Sequence, residues 1–166
     1  MEINLAPLLV KQQELDARIN KEHGVTHQST KTERFLALLV EVGELANATR
    51  AFKYWSLKKS EERPILLDEF ADGLHFFLSL ALVFNFEVND VLYEELPNDK
   101  KTIIQSFKKV YQTVAFFMED EQETSYFKAL NTFLSLGSAL GFTAKDIIDA
   151  YNAKLMVNYT RQNTKY

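Results

Sequence analysis

The sequence predicts an all-α helical bundle, on three observations. Helical periodicity recurs through most of the 166 residues. Gly (5) and Pro (3) are too scarce for the many tight turns of a sandwich or barrel. The chain is 46% hydrophobic and 13% aromatic, enough for one sizeable core, and no repeat, low-complexity tract or linker divides it. Residues 1–166 therefore read as a single domain.

The elements follow in order. A first helix runs from about Leu5, with Pro7 tolerated in its first turn, to the stop signal at Gly24. Thr30-x-x-Glu33 reads as a capping box for a second helix reaching about Tyr54. A polar connection, Ser56 to Arg63, leads to Pro64 and a third helix that continues to about Phe84. After a less regular stretch containing Pro97, Asp99 to Met118 and Thr124 to Leu140 form a helical pair. Thr143-x-x-Asp146 caps a last helix to about Arg161. Helix after helix with short connections is the pattern of a bundle.

Composition removes several classes of function. The absence of Cys excludes disulfide scaffolds, thiolate zinc sites and cysteine nucleophiles. The formal charge is −4 and no basic run is long enough to neutralise a polynucleotide backbone, so no nucleic-acid partner is expected. The longest apolar stretch, Gly73 to Phe86, is interrupted by His75, Ser79 and Asn85 and falls short of the roughly 20 residues that cross a bilayer. No membrane partner is expected either. The N-terminus, MEINLAPLLVKQQELD, lacks the pattern of a secretory signal, which makes a cytoplasmic location the expectation.

Two pairs of acids carry the functional argument. In FLALLVEVGELANATRAF, from Phe35, apolar side chains cover nearly the whole helical circumference, so this helix should be central. Glu41 and Glu44 share a sector of its wheel with Ala37, Leu45, Ala48 and Phe52. In ILLDEFADGLHFFLSLALVF, from Ile65, Glu69 and Asp72 repeat the spacing on a face with Ile65, Phe76 and Val83. The whole pattern is Glu-x-x-Glu, 24 residues, Glu-x-x-Asp. One such pair is ordinarily a solvated helix face. Two pairs on adjacent apolar helices bring four carboxylates into a bundle interior, where charge costs several kcal/mol per ion unless compensated. Hard oxygen ligands without Cys or a ring of His suit Mg²⁺ or Mn²⁺ with phosphate oxygens in the remaining positions.

The segments EVGELANATRAFKYWS and LLDEFADGLHFFLSLAL closely resemble the dimeric, all-α dUTPases of the MazG-like nucleoside triphosphate pyrophosphatase superfamily. Gln12-x-x-Leu15-Asp16 resembles that family's first motif, and Lys154-x-x-x-Asn158-x-x-Arg161-x-x-x-x-Tyr166 its last, so the motifs bracket the chain. The region from Glu87 to Leu140 carries little of the resemblance, and Ala48 and Leu155 depart from the family pattern. Gln13 beside Gln12 leaves the register of the first motif open by one residue.

The resemblance implies an all-α NTP pyrophosphatase fold, a homodimer, and hydrolysis of dUTP to dUMP and diphosphate, with dUTP and dUDP as candidate nucleotides. It implies that Glu41, Glu44, Glu69 and Asp72 hold two or more Mg²⁺ ions, for which Mn²⁺ can substitute. By the same resemblance Glu44, or else Glu41, is the catalytic carboxylate that orients or deprotonates water. Gln12, Asp16, Trp55 and Asn158 are expected around uracil, Phe76 under the deoxyribose, and Lys154, Arg161 and Tyr166 on the phosphate chain. Taken alone, Trp55 reads as a packing residue, and Lys154 and Arg161 as a basic last turn. Positions 154, 158 and 161 do share one helical face.

Three competing readings remain at this level. A pyrophosphohydrolase of broader nucleotide preference would use the same acids. A ferritin-like di-iron protein is suggested by Asp72-x-x-His75, but that architecture needs a second carboxylate-x-x-His pair, which the second helix lacks. An interaction protein would present the 87–140 region to a partner.

Overall fold

The computed structural model describes residues 1–165. Its described residues form six α-helices and one short two-stranded ribbon: β1 (Glu2–Asn4), α1 (Ala6–His23), α2 (Lys31–Thr49), α3 (Arg63–Phe84), β2 (Asp90–Leu92), α4 (Lys100–Asp120), α5 (Glu123–Ala139) and α6 (Ala144–Asn163). The helical bundle is as expected, while the ribbon is an addition. β1 and β2 pair antiparallel with Ile3 opposite Val91, and both side chains are buried. The alternation that builds β1 spans three residues, too few to stand out against the helical pattern that follows. The ribbon ties the start of α1 to the chain leaving α3, and Leu5 N–H closes the join by donating to Asn89 O at 2.9 Å.

The helix ends show which local signals operate. α1 stops at Gly24, whose φ of 65° is the left-handed conformation that glycine adopts without strain. α6 begins with the expected reciprocal capping box between Thr143 and Asp146, and Arg63 at the start of α3 donates to the same Asp146 carboxylate at 2.8 Å. The box expected at Thr30 does not form. A 3₁₀ turn, Gln28–Thr30, leads into α2, and Thr30 Oγ1 instead donates to Thr26 O and accepts from Arg34 Nε, each at 2.8 Å. α2 ends at Thr49, short of Tyr54, because Arg50 turns left-handed at φ 55°.

α3, rather than α2, is the central helix. Nearly every residue from Phe70 to Val83 is buried, and α3 packs on α1, α2, α5 and α6. Against α5 the approach is close: a Cβ on Gly73 would stand 2.7 Å from the Phe133 ring, and one on Gly137 would stand 2.8 Å from Phe70. The two rings stack at 4.2 Å between these glycines. α2 buries Phe35, Leu38, Val42 and Leu45 against this core, but Leu36 and Val40 are 61% and 49% exposed. Its all-round apolar character thus divides into an inner stripe covered by this chain and an outer stripe that is not. No helix among the described residues is long and apolar enough to cross a membrane.

Candidate active site

α1, α2, α3 and α6 enclose a cleft of about 520 Å³. Helical spacing decides what each contributes: Gln12 and Asp16 from α1, Arg34, Ala37 and Glu41 from α2, Asp72, His75, Phe76 and Ser79 from α3, Asn158 and Arg161 from α6. Seven residues expected from the sequence therefore meet in one cleft: Gln12, Asp16, Glu41, Asp72, Phe76, Asn158 and Arg161. Of the paired glutamines, Gln12 is buried and lines the cleft, and Gln13 is exposed. The departures Ala48 and Leu155 are both core residues, 7% exposed.

At one end, Glu41, Glu69 and Asp72 each bring a carboxylate oxygen within 4.8 Å of the others. Glu41 Oε2 is buried without a hydrogen-bond partner. Burial, reinforced by Asp72 and Glu44, pushes the Glu41 carboxyl up to about 8. Burial likewise raises Glu69, with repulsion from Glu44 and Asp72 added and only partly offset by Lys154. The Asp72 carboxyl is also raised, since burial outweighs its hydrogen bond to Lys154. Three acids crowded together and short of positive charge, one with an orphaned buried oxygen, fit a hard divalent cation. Glu44 stands next to Glu41, exposed and outside the three-acid cluster, where a carboxylate remains accessible to water.

Lys154 is turned into this cluster. Its ammonium is 5% exposed as a side chain and donates to Asp68 and Asp72 Oδ2, each at 2.7 Å. Burial opposes that charge, but the two carboxylates outweigh it and hold the Lys154 pKa above the usual lysine range. Arg161 lines the cleft and acts favourably on the Asp72 charge. Trp55 does not line the cleft: it is 65% exposed in the α2–α3 connection, edge-on to Tyr54 at 5.1 Å. Tyr166 lies outside the described residues.

The other end is a closed polar network. Asp16 Oδ1 accepts from Gln12 Nε2 at 2.8 Å, and Oδ2 from Ser79 Oγ at 2.7 Å, Arg34 NH1 at 3.0 Å and His27 Nε2 at 3.0 Å. Arg34 also donates to Ser79 Oγ and to Asn20 Oδ1. Behind them, Gln12 Oε1 lies 2.7 Å from His75 Nδ1 and 2.8 Å from the Tyr151 hydroxyl, which also reaches Leu8 O at 3.2 Å. Sequence reasoning missed Arg34, His27, Tyr151, Ser79 and Asp68 as parts of the site. One signal was present: Asp72, His75 or Phe76, and Ser79 follow the i, i+3/4, i+7 spacing of a single face.

Comparison with known proteins agrees with this geometry. The sequence matches the dUTPase family over residues 4–166, nearly the whole chain. A search of curated proteins finds no match. A six-helix bundle, an acidic cluster and a polar pocket in one cleft, together with that end-to-end match, place the chain in the all-α dUTPase family, and it is a dUTP diphosphatase.

Proposed function

We propose that the cleft hydrolyses dUTP to dUMP and diphosphate in a Mg²⁺-dependent reaction, with uracil at the Gln12–Asp16 end and the phosphates over Glu41, Glu69 and Asp72. The observation that carries this reading is that Glu41, with its orphaned oxygen, and Asp72 of the acid cluster line the same cleft as the buried Gln12 and Asp16. Glu41, Glu69 and Asp72 would hold the ions with Glu44 beside them, and Mn²⁺ would substitute. Bound Mg²⁺ would supply the positive charge that phosphoryl oxygens and the departing diphosphate need.

The chain's own groups do the rest. Glu44, the accessible acid next to Glu41, takes the proton of a water that attacks phosphorus at the α–β bridge. Arg161, which lines the cleft, and Lys154, bonded to Asp72 behind it, would grip phosphate oxygens. Phe76 gives the deoxyribose an apolar wall, against which a 2′-hydroxyl finds no partner, and Asn158 lines the same cleft as Gln12.

The protein is further proposed to act as a homodimer. Leu36 and Val40 on α2, Met156 and Val157 on α6, and Trp55 and Leu57 in the connection are all exposed, and a second copy would cover them. Light scattering should give twice the chain mass, and a stable, active monomer would refute the assembly.

The decisive experiment is diphosphate release over all common dNTPs and NTPs, with and without Mg²⁺. The expected result is turnover of dUTP at least about 10²-fold more efficient than of dCTP, dTTP or UTP, and none in excess chelator. Equal use of several nucleotides would leave a general pyrophosphohydrolase, and full activity in chelator would remove the metal from the reading.

A further inference from the structure

We propose that Lys154 is a displaceable counter-cation: it holds Asp72 until a divalent cation takes that carboxylate, then withdraws to Asp68, so that the lysine and Asp68 set how tightly the acid cluster binds its metal. This inference rests on the reading of Glu41, Glu69 and Asp72 as a metal site. The geometry behind it is a bridge between two unequal anchors. The Lys154 ammonium stands 2.7 Å from Asp72 Oδ2 and 2.7 Å from Asp68 Oδ2. Asp72 belongs to the three-acid cluster and Asp68 does not.

The two anchors lie one helical turn apart. Four positions along α3 put Asp68 and Asp72 on one face, and α6 lays its lysine across both. The Asp72 side chain is 20% exposed and the Asp68 side chain 55%, so water screens the outer pair more, and the ammonium gains more at Asp72 than at Asp68.

A divalent cation reverses that preference. The ammonium brings one positive charge and bonds one acid of the cluster, whereas the cation brings two and can take an oxygen from each of three acids that lie within 4.8 Å of one another. Held on the same carboxylate, ammonium and cation would face each other at close range, like charge against like. Asp68 gives the ammonium a place to go. It releases one charge-assisted hydrogen bond and keeps the other, so no buried ammonium is left without an anion. A lysine tied to Asp72 alone would have to lose its only anion or stay and block the ion. The N–H released from Asp72 is then available to a phosphate oxygen of the nucleotide.

The experiment titrates Mg²⁺ alone into the nucleotide-free protein by calorimetry, for the wild type, Lys154→Met and Lys154→Gln. Lys154→Met removes the competing cation and keeps an unbranched side chain in its place. It should bind Mg²⁺ about tenfold more tightly, the scale of one hydrogen bond to a charged group. Lys154→Gln, which keeps a neutral donor, should tighten binding at least about threefold, and it decides alone if Lys154→Met does not fold. A crystal structure of the wild type with Mg²⁺ and no nucleotide separates displacement from a mere change in local charge. There the ammonium should lie beyond about 4 Å from Asp72, outside ion-pair range, with its Asp68 bond retained. An ammonium still 2.7 Å from Asp72 Oδ2 beside a bound Mg²⁺ would overturn the proposal, as would variants that bind Mg²⁺ no more tightly than the wild type. If neither the wild type nor the variants bind Mg²⁺, it is the metal reading itself that fails.

Discussion

At its two ends the cleft meets a buried carboxylate, Asp16, and a half-buried cluster of three acids, and the protein treats them in opposite ways. Asp16 receives four hydrogen bonds, including that of the Arg34 guanidinium, all from its own chain. In the cluster, the Lys154 ammonium bonds Asp72 and eases Glu69, Arg161 helps Asp72, and Glu41, Glu69 and Asp72 all have raised pKa values. One carboxylate is complete before any ligand arrives, and the cluster is not. Preorganised polar groups read a ligand without reorganising, whereas crowded acids store a demand for external cations. The same residue type therefore serves recognition at one end and metal binding at the other, and the difference lies in the neighbours each acid receives.

Substitutions at the two ends should separate activity from stability. Replacing Glu69 or Asp72 by Ala should lower turnover by at least about 10³-fold, the loss expected when charge stabilisation of the reacting phosphate is removed. The thermal midpoint of the metal-free protein should stay level or rise, because a disfavoured buried charge is gone. Loss of folding along with activity would show that these acids are structural. Asp16→Ala should do the reverse. It leaves the Arg34 guanidinium, 9% exposed, without its anion, a loss that costs about 3–5 kcal/mol. For a chain of this size that lowers the melting temperature by on the order of 10 °C. A melting temperature within a degree or two of wild type would show that the network is not what holds this end together.

Acid should weaken the recognition end through His75. Burial lowers its pKa from 6.5 to about 4, with Lys154 adding to the lowering while the Tyr151 carbonyl and Asp16 work in the other direction. Gln12 Oε1 faces its Nδ1. The folded state thus favours the neutral ring. Its contribution is complete above the unfolded pKa of 6.5 and is lost as pH falls through about 4. The full span corresponds to about 3 kcal/mol at 1.36 kcal/mol per pKa unit. Denaturant titrations at pH 7 and pH 4.5 should show a smaller loss of stability for His75→Asn than for the wild type. Equal losses would place the acid sensitivity elsewhere.

The sequence made the acid end more legible than the recognition end, for a physical reason. Glu41, Glu44, Glu69 and Asp72 announce themselves by spacing within two helices, and spacing survives in one dimension. The partners of Asp16 do not: Ser79 lies 63 positions away, and Tyr151 reaches Gln12 from 139 positions away. Periodicity says which face a residue occupies but not which side chain meets it across a helix pair. Thr30 shows the same limit locally, since a threonine that reads as a cap is drawn instead into positioning Arg34. α2 read as central because its residues are apolar all round, and the pattern cannot tell burial by this chain from an uncovered stripe at Leu36 and Val40. Trp55 lies beyond the left-handed turn at Arg50, in a connection whose course no periodicity describes.

The smallest expected effect tests how incomplete the acid end is. Lys154 is the one ammonium bonded within the cluster among the described residues, and it divides its hydrogen bonds between Asp68 and Asp72. Asp68 is 55% exposed, so its share of the pair is screened by water and is worth at most about 1 kcal/mol. Asp68→Ala should nonetheless move the ammonium wholly onto Asp72, where it competes with an incoming cation for the same carboxylate. Mg²⁺ affinity measured by calorimetry should weaken, by no more than about fivefold, the equivalent of that 1 kcal/mol. The melting temperature should change little, because one ion pair replaces another. Tighter Mg²⁺ binding would mean that Asp68 itself repels or competes for the ion, and that Lys154 is not its rival at Asp72.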